Sequence, residues 1–320
     1  WNAALLDIRS QGIDRICCLG DIVGYGPNPT ETLESVYSNV DYLVLGNHDA
    51  VICGKMDPSL FNEKARRIID WTRNQLGNDA VKFLKTLPLS VSSHFFRGTH
   101  GDFSVPSSFN YIIEPEDALD SWSTVPENLL FVGHTHQPGI FLLGQSGIPR
   151  MVEPQDFVLE EGKRFLVNVG SIGQPRDRQA RSSYCILDTD EQSVIWRRIP
   201  FDIDAYREAL TAAGLPSDAS YFLKHDPRKG YAPLRESLNF KPATTPEQAV
   251  QNTVEVQKVD MLKRRVAKWK AFTAAGVASL FLVAGISFGV YRKYLHRSDI
   301  LKPAALPTIP APVVVDGQNL

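Results

Sequence analysis

The sequence has few cysteines and almost no net charge. The first observation bears on the redox compartment of the protein, and the second on the partners that it can bind. Its four cysteines include no Cys-x-x-Cys pair. Cys17 and Cys18 are neighbours in a predicted strand, so they point to opposite faces as buried thiols, which favours a reducing compartment. The formal net charge of -2 at pH 7 gives the chain no preference for nucleic acids or other polyanions.

The sequence also lacks a starting methionine. It begins at Trp1, and residues 3–6 already have the character of the middle of a helix. We therefore expect that an upstream piece is missing. A signal peptide, if the protein has one, would not be visible in this sequence.

Polar side chains follow four apolar runs that we interpret as strands. The loop after residues 42–45 opens with glycine and then presents an amide, an imidazole and a carboxylate. Three other strand ends carry a carboxylate or imidazoles, and packing alone does not explain four such ends. The residues concerned are Asp21, then Asn47, His48 and Asp49, then His100, and finally His134 and His136.

The pattern of the first 225 residues predicts an α/β domain. Strands at 13–19 and 41–45 flank a helix that opens at Pro29, which favours parallel strands in one sheet. Further helices are expected after Pro58 and at 78–86, and a closing helix ends at Gly214. Short strands at 90–96, 129–132, 140–143, 165–169, 183–187 and 194–199 predict a second sheet. We expect the two sheets to pack as an α/β sandwich.

The remaining residues predict a membrane anchor. Residues 226–244 are interpreted as a linker, 245–270 as a basic helical stem and 292–320 as a Pro-rich, disordered tail. Between them, residues 271–291 carry no charge and would extend roughly 31 Å as a helix, enough to span a bilayer. The excess of Lys and Arg before this span favours a catalytic domain in the cytoplasm. Gly285 and Gly289 form a GxxxG pair, which either packs against another helix or arises by chance.

The polar strand ends together fit a hydrolytic metal centre. Such a site needs hard oxygen and imidazole ligands, with a carboxylate able to bridge two cations. Asp21 suits the bridge, and Asn47 offers an amide oxygen. His100, His134 and His136 offer nitrogens, the last two on one face of an extended segment.

This pattern resembles the calcineurin-like metallophosphoesterases, and the resemblance covers residues 1 to about 225. It is most similar to the bacterial branch with the YfcE-type phosphodiesterases and the proteins grouped with dinucleoside tetraphosphatases. The matching motifs are Gly20-Asp21, Gly24-Tyr25-Gly26-Pro27, Gly46-Asn47-His48-Asp49, His100-Gly101, Gly133-His134-Thr135-His136 and the stretch 168–176.

The resemblance implies a role for each site residue. Asp21 would bridge two divalent metals, of which manganese is the first expectation and iron, zinc or nickel are alternatives. Asn47, His100 and His134 would complete one metal site, and His136 would serve the other. His48 would lie beside the scissile phosphate as a hydrogen-bond or proton donor.

Three further residues have less specific roles. Asp49 would either orient His48 or cap the segment that follows. Arg176 would either hold a phosphate oxygen or be an exposed turn arginine. Tyr25 would shape the entrance.

Two departures from the family pattern bear on function. The family begins with an Asp-x-His motif that supplies two ligands for the second metal, and this sequence starts just after the place for it. The sequence is therefore interpreted as a fragment of a complete enzyme, the alternative being real loss of the site. Gly24 and Tyr25 also stand where protein Ser/Thr phosphatases carry Asp and Arg, which argues against a phosphoprotein substrate.

The sequence thus predicts a membrane-tethered, metal-dependent hydrolase of a phosphodiester or nucleotide-like phosphate ester. A dinucleoside polyphosphate hydrolase or a phosphomonoesterase is the enzymatic alternative. A catalytically inactive, membrane-anchored scaffold on the same fold is the alternative from another class.

Overall fold

The computed structural model of the chain describes residues 1–215 and 312–315. The helices are α1 (Asn2–Ser10), α2 (Pro29–Asn39), α3 (Asn47–Ile52), α4 (Glu63–Gln75), α5 (Asn78–Thr86), α6 (Ala118–Thr124) and α7 (Ile203–Ala212). The strands are β1 (Arg15–Cys18), β2 (Tyr42–Leu43), β3 (Ser90–Ser92), β4 (Arg97–Thr99), β5 (Leu129–Val132), β6 (Gly139–Leu143), β7 (Pro149–Val152), β8 (Phe157–Val158), β9 (Arg164–Asn168), β10 (Ser182–Asp188), β11 (Ser193–Ile199) and β12 (Pro312–Val315).

The strands form two six-stranded sheets, in the orders β2-β1-β12-β10-β11-β8 and β3-β4-β5-β9-β6-β7. A shared apolar core that includes Leu19, Val44, Phe131 and Val167 joins their facing surfaces. Helices cover the outer faces, with α1, α2, α3 and α5 on the first sheet and α6 on the second. This arrangement confirms the predicted two-sheet α/β sandwich. The strands expected at 183–187 and 194–199 were wrongly assigned to the second sheet, since they pair as β10 and β11 within the first.

The cysteines are buried thiols, as predicted. Cys17 faces the core between the two sheets, whereas Cys18 faces the helices on the other side of the first sheet. Cys53 and Cys185 are also buried and unpaired by disulfides. Burial raises the pKa of the Cys17 and Cys185 thiols, which keeps both protonated and unreactive.

Two elements differ locally from the prediction because side chains bind the backbone. The strand expected at 90–96 is a hairpin, since Ser93 accepts hydrogen bonds from the N–H groups of Phe95 and Phe96 and turns the chain back. The helix expected after Pro58 begins only at Glu63, where Asn62 caps it by accepting from the Ala65 N–H.

The tail, predicted to be disordered throughout 292–320, contributes one strand. Strand β12 lies between β1 and β10, parallel to the first and antiparallel to the second. In the register of that pairing, Val313 is the partner of Ile16 and Val314 that of Cys17. The β-branched run Val313–Val315 has the high β-propensity that suits a central strand. The linker, stem and span predicted at 226–291 lie outside the described residues.

Within the described part of the chain, no helix combines the length and the apolar character that a membrane crossing requires.

Candidate metal centre

The site forms where parallel strands end. Strands β1 and β2 are parallel neighbours in the first sheet, and β4 and β5 are parallel neighbours in the second. The carboxyl ends of parallel strands share one edge of a sheet, which is where α/β proteins place their ligands. Asp21, Asn47, His100 and His134 follow these four strands in turn and converge there.

Three of the predicted ligands form one buried cluster. One donor atom from each of Asp21, His100 and His134 lies within 4.8 Å of the other two. The Oδ1 atom of Asn47 lies 3.1 Å from His100 Nε2, which in turn lies 3.4 Å from Asp21 Oδ2. These four side chains are buried, so a cation there would have little competition from bulk water.

The tautomers of two histidines leave a nitrogen lone pair toward the centre. His100 Nδ1 lies 2.7 Å from the Leu19 carbonyl, and His136 Nδ1 lies 2.8 Å from the Gln174 carbonyl. A carbonyl only accepts, so each Nδ1 carries the hydrogen, and each Nε2 then faces the site as a lone pair. Around His100 this brings together a nitrogen, an amide oxygen and a carboxylate oxygen, which fit a divalent cation.

His136 lies near Asp21 but is not one of the three residues of this cluster. Its Nε2 atom lies 3.3 Å from the Tyr25 hydroxyl, and the same hydroxyl lies 3.3 Å from Asp21 Oδ2. The structure therefore brings His136 near the predicted bridging carboxylate, through the Tyr25 hydroxyl.

The backbone at the site adopts a conformation that non-glycine residues rarely take. Asp21, His134 and His136 have φ values of 54°, 66° and 61°. Left-handed residues of this kind concentrate at functional sites, where the surrounding contacts compensate for the strain. Here the strain turns each side chain back toward the centre.

Burial sets the charge of the site. It lowers the pKa of His134 and His136 well below the usual imidazole value, so both rings are neutral, as metal ligands must be. Burial would raise the pKa of the Asp21 carboxyl. The positive charge that His100 and His48 carry when protonated outweighs it and holds that pKa well below its usual range in the metal-free site.

His48 stands beside the centre at the start of α3. Its backbone N–H donates to Asp21 Oδ1 at 2.9 Å, which fixes the helix on the central carboxylate. The ring is packed between Tyr25, stacked at 3.9 Å, and Phe61, which meets it edge-on at 4.9 Å. Burial lowers the pKa of His48 to about 4.

Asp49 binds the backbone. Its carboxylate accepts hydrogen bonds from the N–H groups of Ile22, Val23 and Gly46 at 3.1–3.2 Å. These contacts tie the loop after β1 to the first turn of α3, which is the capping alternative of the prediction. Burial and the nearby Asp21 raise the pKa of Asp49 to about 7, against the three N–H donors that favour its charged form.

Arg176 lies close to the centre rather than in a remote exposed turn. Its backbone N–H donates to the His136 carbonyl, and its guanidinium donates to Gln174. Its positive charge is near enough to lower the pKa of His136 and His48. The side chain also bonds the half-buried Tyr111, whose ring stacks on His134 at 4.0 Å.

Sequence reasoning gave no role to Asn168 or Tyr111. Asn168 Nδ2 donates to the Gly133 carbonyl at 2.7 Å and to Thr135 Oγ1 at 2.9 Å, so it holds the loop that carries both histidines. Its position at the end of a buried strand next to Gly170 was the available signal. Tyr111 lies in an irregular loop, and nothing in its neighbouring residues indicates the stacking on His134.

Comparisons with known proteins agree with this geometry. The model of the calcineurin-like phosphoesterase superfamily domain matches residues 2–192. The uncharacterized protein MJ0912 of Methanocaldococcus jannaschii is 36% identical over 220 residues, covering 67% of this chain and 88% of that protein.

Two solved structures are similar. A metallophosphoesterase from Sphaerobacter thermophilus superposes with a TM-score of 0.61 at 32% identity, covering 70% of this chain and 93% of that one. The hypothetical protein PH1004 from Pyrococcus horikoshii shares the fold, with a TM-score of 0.54 at 19% identity over 70% and 92% of the two chains.

Proposed function

We propose that the chain, a member of the calcineurin-like phosphoesterase superfamily, acts on a phosphodiester or a nucleotide-like phosphate ester. Membership of that superfamily makes it a metal-dependent phosphate-ester hydrolase. The observation that carries the proposal is the buried cluster of Asp21, His100 and His134 with the His48 ring beside it. Because every one of these side chains is buried, the site suits a small ester better than a residue on a folded phosphoprotein. The Gly24-Tyr25 pair, which replaces the Asp and Arg of protein phosphatases, supports the same choice.

We assign two divalent cations to the site, with manganese as the first choice and iron, zinc or nickel as alternatives. Asn47, His100 and His134 would hold one ion together with Asp21. His136 and Asp21 would hold the other. Bound there, the ions would supply Lewis-acid activation of water and of the phosphate oxygens.

The chain's own residues would then direct the hydrolysis. Water adds its oxygen to phosphorus while the bond from phosphorus to the leaving oxygen breaks, and that oxygen gains a proton. His48 would donate a hydrogen bond to a phosphate oxygen or the proton to the leaving oxygen. Arg176, beside His136, would hold a further phosphate oxygen. Asp49 would keep α3, and with it His48, in register with Asp21.

A substrate panel tests the proposal. The full chain, with any upstream residues restored, is assayed with manganese on bis(p-nitrophenyl) phosphate, p-nitrophenyl phosphate and a dinucleoside polyphosphate, with and without EDTA. We expect diester turnover that EDTA abolishes and His134→Ala reduces together with bound manganese. Turnover of the monoester or the polyphosphate alone would replace the proposed substrate class. No turnover with any metal from a folded chain would favour the scaffold alternative.

We also propose that residues 271–291 anchor the enzyme in a membrane, with the catalytic domain on the cytoplasmic side. Because a single crossing separates residues 312–315 from that side, the anchored form would lack the pairing of β12 with β1 and β10. The uncharged run and the basic residues before it support this. Self-association through Gly285 and Gly289 is part of the same proposal. Cell fractionation tests it with the full chain and with a form that lacks only residues 271–291 and therefore keeps the β12 segment. Recovery of both forms in the soluble fraction would contradict the anchor.

A further inference from the structure

One tyrosine contacts the catalytic histidine candidate and two metal-ligand candidates at once. The Tyr25 ring stacks on the His48 ring with centroids 3.9 Å apart and planes 30° apart. Its hydroxyl lies 3.3 Å from Asp21 Oδ2 and 3.3 Å from His136 Nε2. Tyr25 is 8% exposed, so these contacts are made inside the protein.

The backbone beside Tyr25 leaves the His48 ring little room. Gly24 has a φ of +112°, and a Cβ atom at this position would lie 2.7 Å from His48 Nδ1. Glycine therefore lets the chain pass directly under the imidazole edge. The loop is fixed in turn by Asp49, which binds the N–H groups of Ile22 and Val23.

Phe61 makes a second aromatic contact with the His48 ring. It meets the imidazole edge-on at 4.9 Å, with the planes at 89°. Offset stacking and edge-to-face contacts are the favoured aromatic geometries, each worth about 0.5–1.5 kcal/mol beyond burial. The backbone of His48 is already fixed by its N–H bond to Asp21, so the aromatic contacts and the Gly24 backbone decide the orientation of the ring.

We propose that Tyr25 is a positioning residue that holds the His48 imidazole in its working orientation at the metal centre. The ring face keeps the imidazole in place, and the hydroxyl, which has one hydrogen to donate, anchors the tyrosine to Asp21 Oδ2 or to His136 Nε2. At 3.3 Å these hydroxyl contacts are long for hydrogen bonds, so the ring is expected to matter more than the hydroxyl. The inference rests on the proposed phosphoesterase function, in which His48 acts on the ester.

Steady-state kinetics of the full chain test this with four single variants. Tyr25→Leu removes the ring, and we expect kcat on bis(p-nitrophenyl) phosphate to fall about 10- to 100-fold with little change in KM. Tyr25→Phe keeps the ring and should restore most of kcat. Tyr37→Leu is the matched control, because Tyr37 pairs edge-on with Phe83 in a separate contact, and it should keep the wild-type kcat. His48→Ala gives the reference activity of the enzyme without the imidazole.

The double variant Tyr25→Leu/His48→Ala separates positioning from metal binding. If Tyr25 acts through His48, the double variant should have the same activity as His48→Ala, because the imidazole that Tyr25 positions is already absent. The amount of bound manganese should stay equal to that of the wild type. An equal loss in both backgrounds would overturn the proposal. So would a loss of bound manganese in Tyr25→Leu, because either result would place the tyrosine's effect on the metal ligands.

A spectroscopic measurement decides the point even if the protein hydrolyses no ester. In a ¹³C–¹H spectrum of the histidine ring protons, the His48 signal is the one missing from His48→Ala. Stacking on Tyr25 should shift it upfield in the wild type and in Tyr25→Phe, and Tyr25→Leu should abolish the shift. An unchanged His48 signal in Tyr25→Leu would refute the positioning role. Absent turnover by the wild type would refute only the proposed function.

Discussion

The close approach of β1 and β2 at the metal centre predicts that Gly46 cannot gain a methyl group. A Cβ atom at Gly46 would lie 2.1 Å from the Asp21 nitrogen and 2.2 Å from Asp21 Oδ1. The φ of Gly46 is -89°, so alanine fits the backbone and only the contact opposes it. Overpacking costs typically about 1–3 kcal/mol, and backbone atoms cannot move aside. We expect Gly46→Ala to lower the free energy of unfolding by about 3 kcal/mol, which corresponds to a fall of roughly 6–12 °C in Tm for a domain of this size.

Gly77 provides a matched control. It is also the N-cap residue of a helix, with φ -70° and ψ 161°, and a Cβ atom there would meet nothing within 4 Å. Gly77→Ala should therefore cost only the N-cap preference, about 1 kcal/mol. Thermal unfolding measures both variants, and manganese titration should show weakened binding for Gly46→Ala alone. Equal losses of stability in the two variants would refute the steric reasoning.

Two further predictions concern the histidines. Asn168→Ala removes the hydrogen bonds to Gly133 and Thr135. Manganese affinity, measured by calorimetry, should therefore fall about 10- to 100-fold. Unchanged affinity would show that Asn168 does not support the site. Burial lowers the pKa of His48 from 6.5 to about 4, so in metal-free protein the unfolded chain takes up this proton first as the pH falls. Urea titrations measure the difference in free energy of unfolding between the wild type and His48→Ala. The stability of the wild type relative to the variant should decrease from pH 7 toward pH 4.5. A difference independent of pH would contradict the burial argument.

The ligand cluster could be predicted because it follows from strand order. Each ligand comes directly after an apolar run, and parallel strands end at a common edge, so Asp21 had to lie near Asn47 and His100 near His134. The two pairs belong to different sheets, and the packing of those sheets brings them together. The helix that begins at Asn47 could not be anticipated. The residues 47–52 show no helical periodicity, and α3 is held by tertiary contacts, with Asp49 bonded to the loop after β1.

The aromatic neighbours of the site were beyond prediction for another reason. Tyr25 and Phe61 reach the His48 ring from separate loops, and Tyr111 reaches His134 from a third. Local sequence carries no signal for such contacts, because loop conformation depends on the packed domain. The strand β12 illustrates the same limit, since its pairing with β1 joins segments far apart in the chain.

The most direct test of the central claim is the manganese-dependent turnover of bis(p-nitrophenyl) phosphate by His48→Ala. His94→Ala is the control, because that histidine is exposed at the tip of the β3–β4 hairpin. A group that donates to the transition state contributes a factor of about 10² or more. The account predicts at least that loss for His48→Ala, with manganese still bound, and wild-type turnover for His94→Ala. Wild-type turnover by His48→Ala would contradict the placement of the chemistry at this centre.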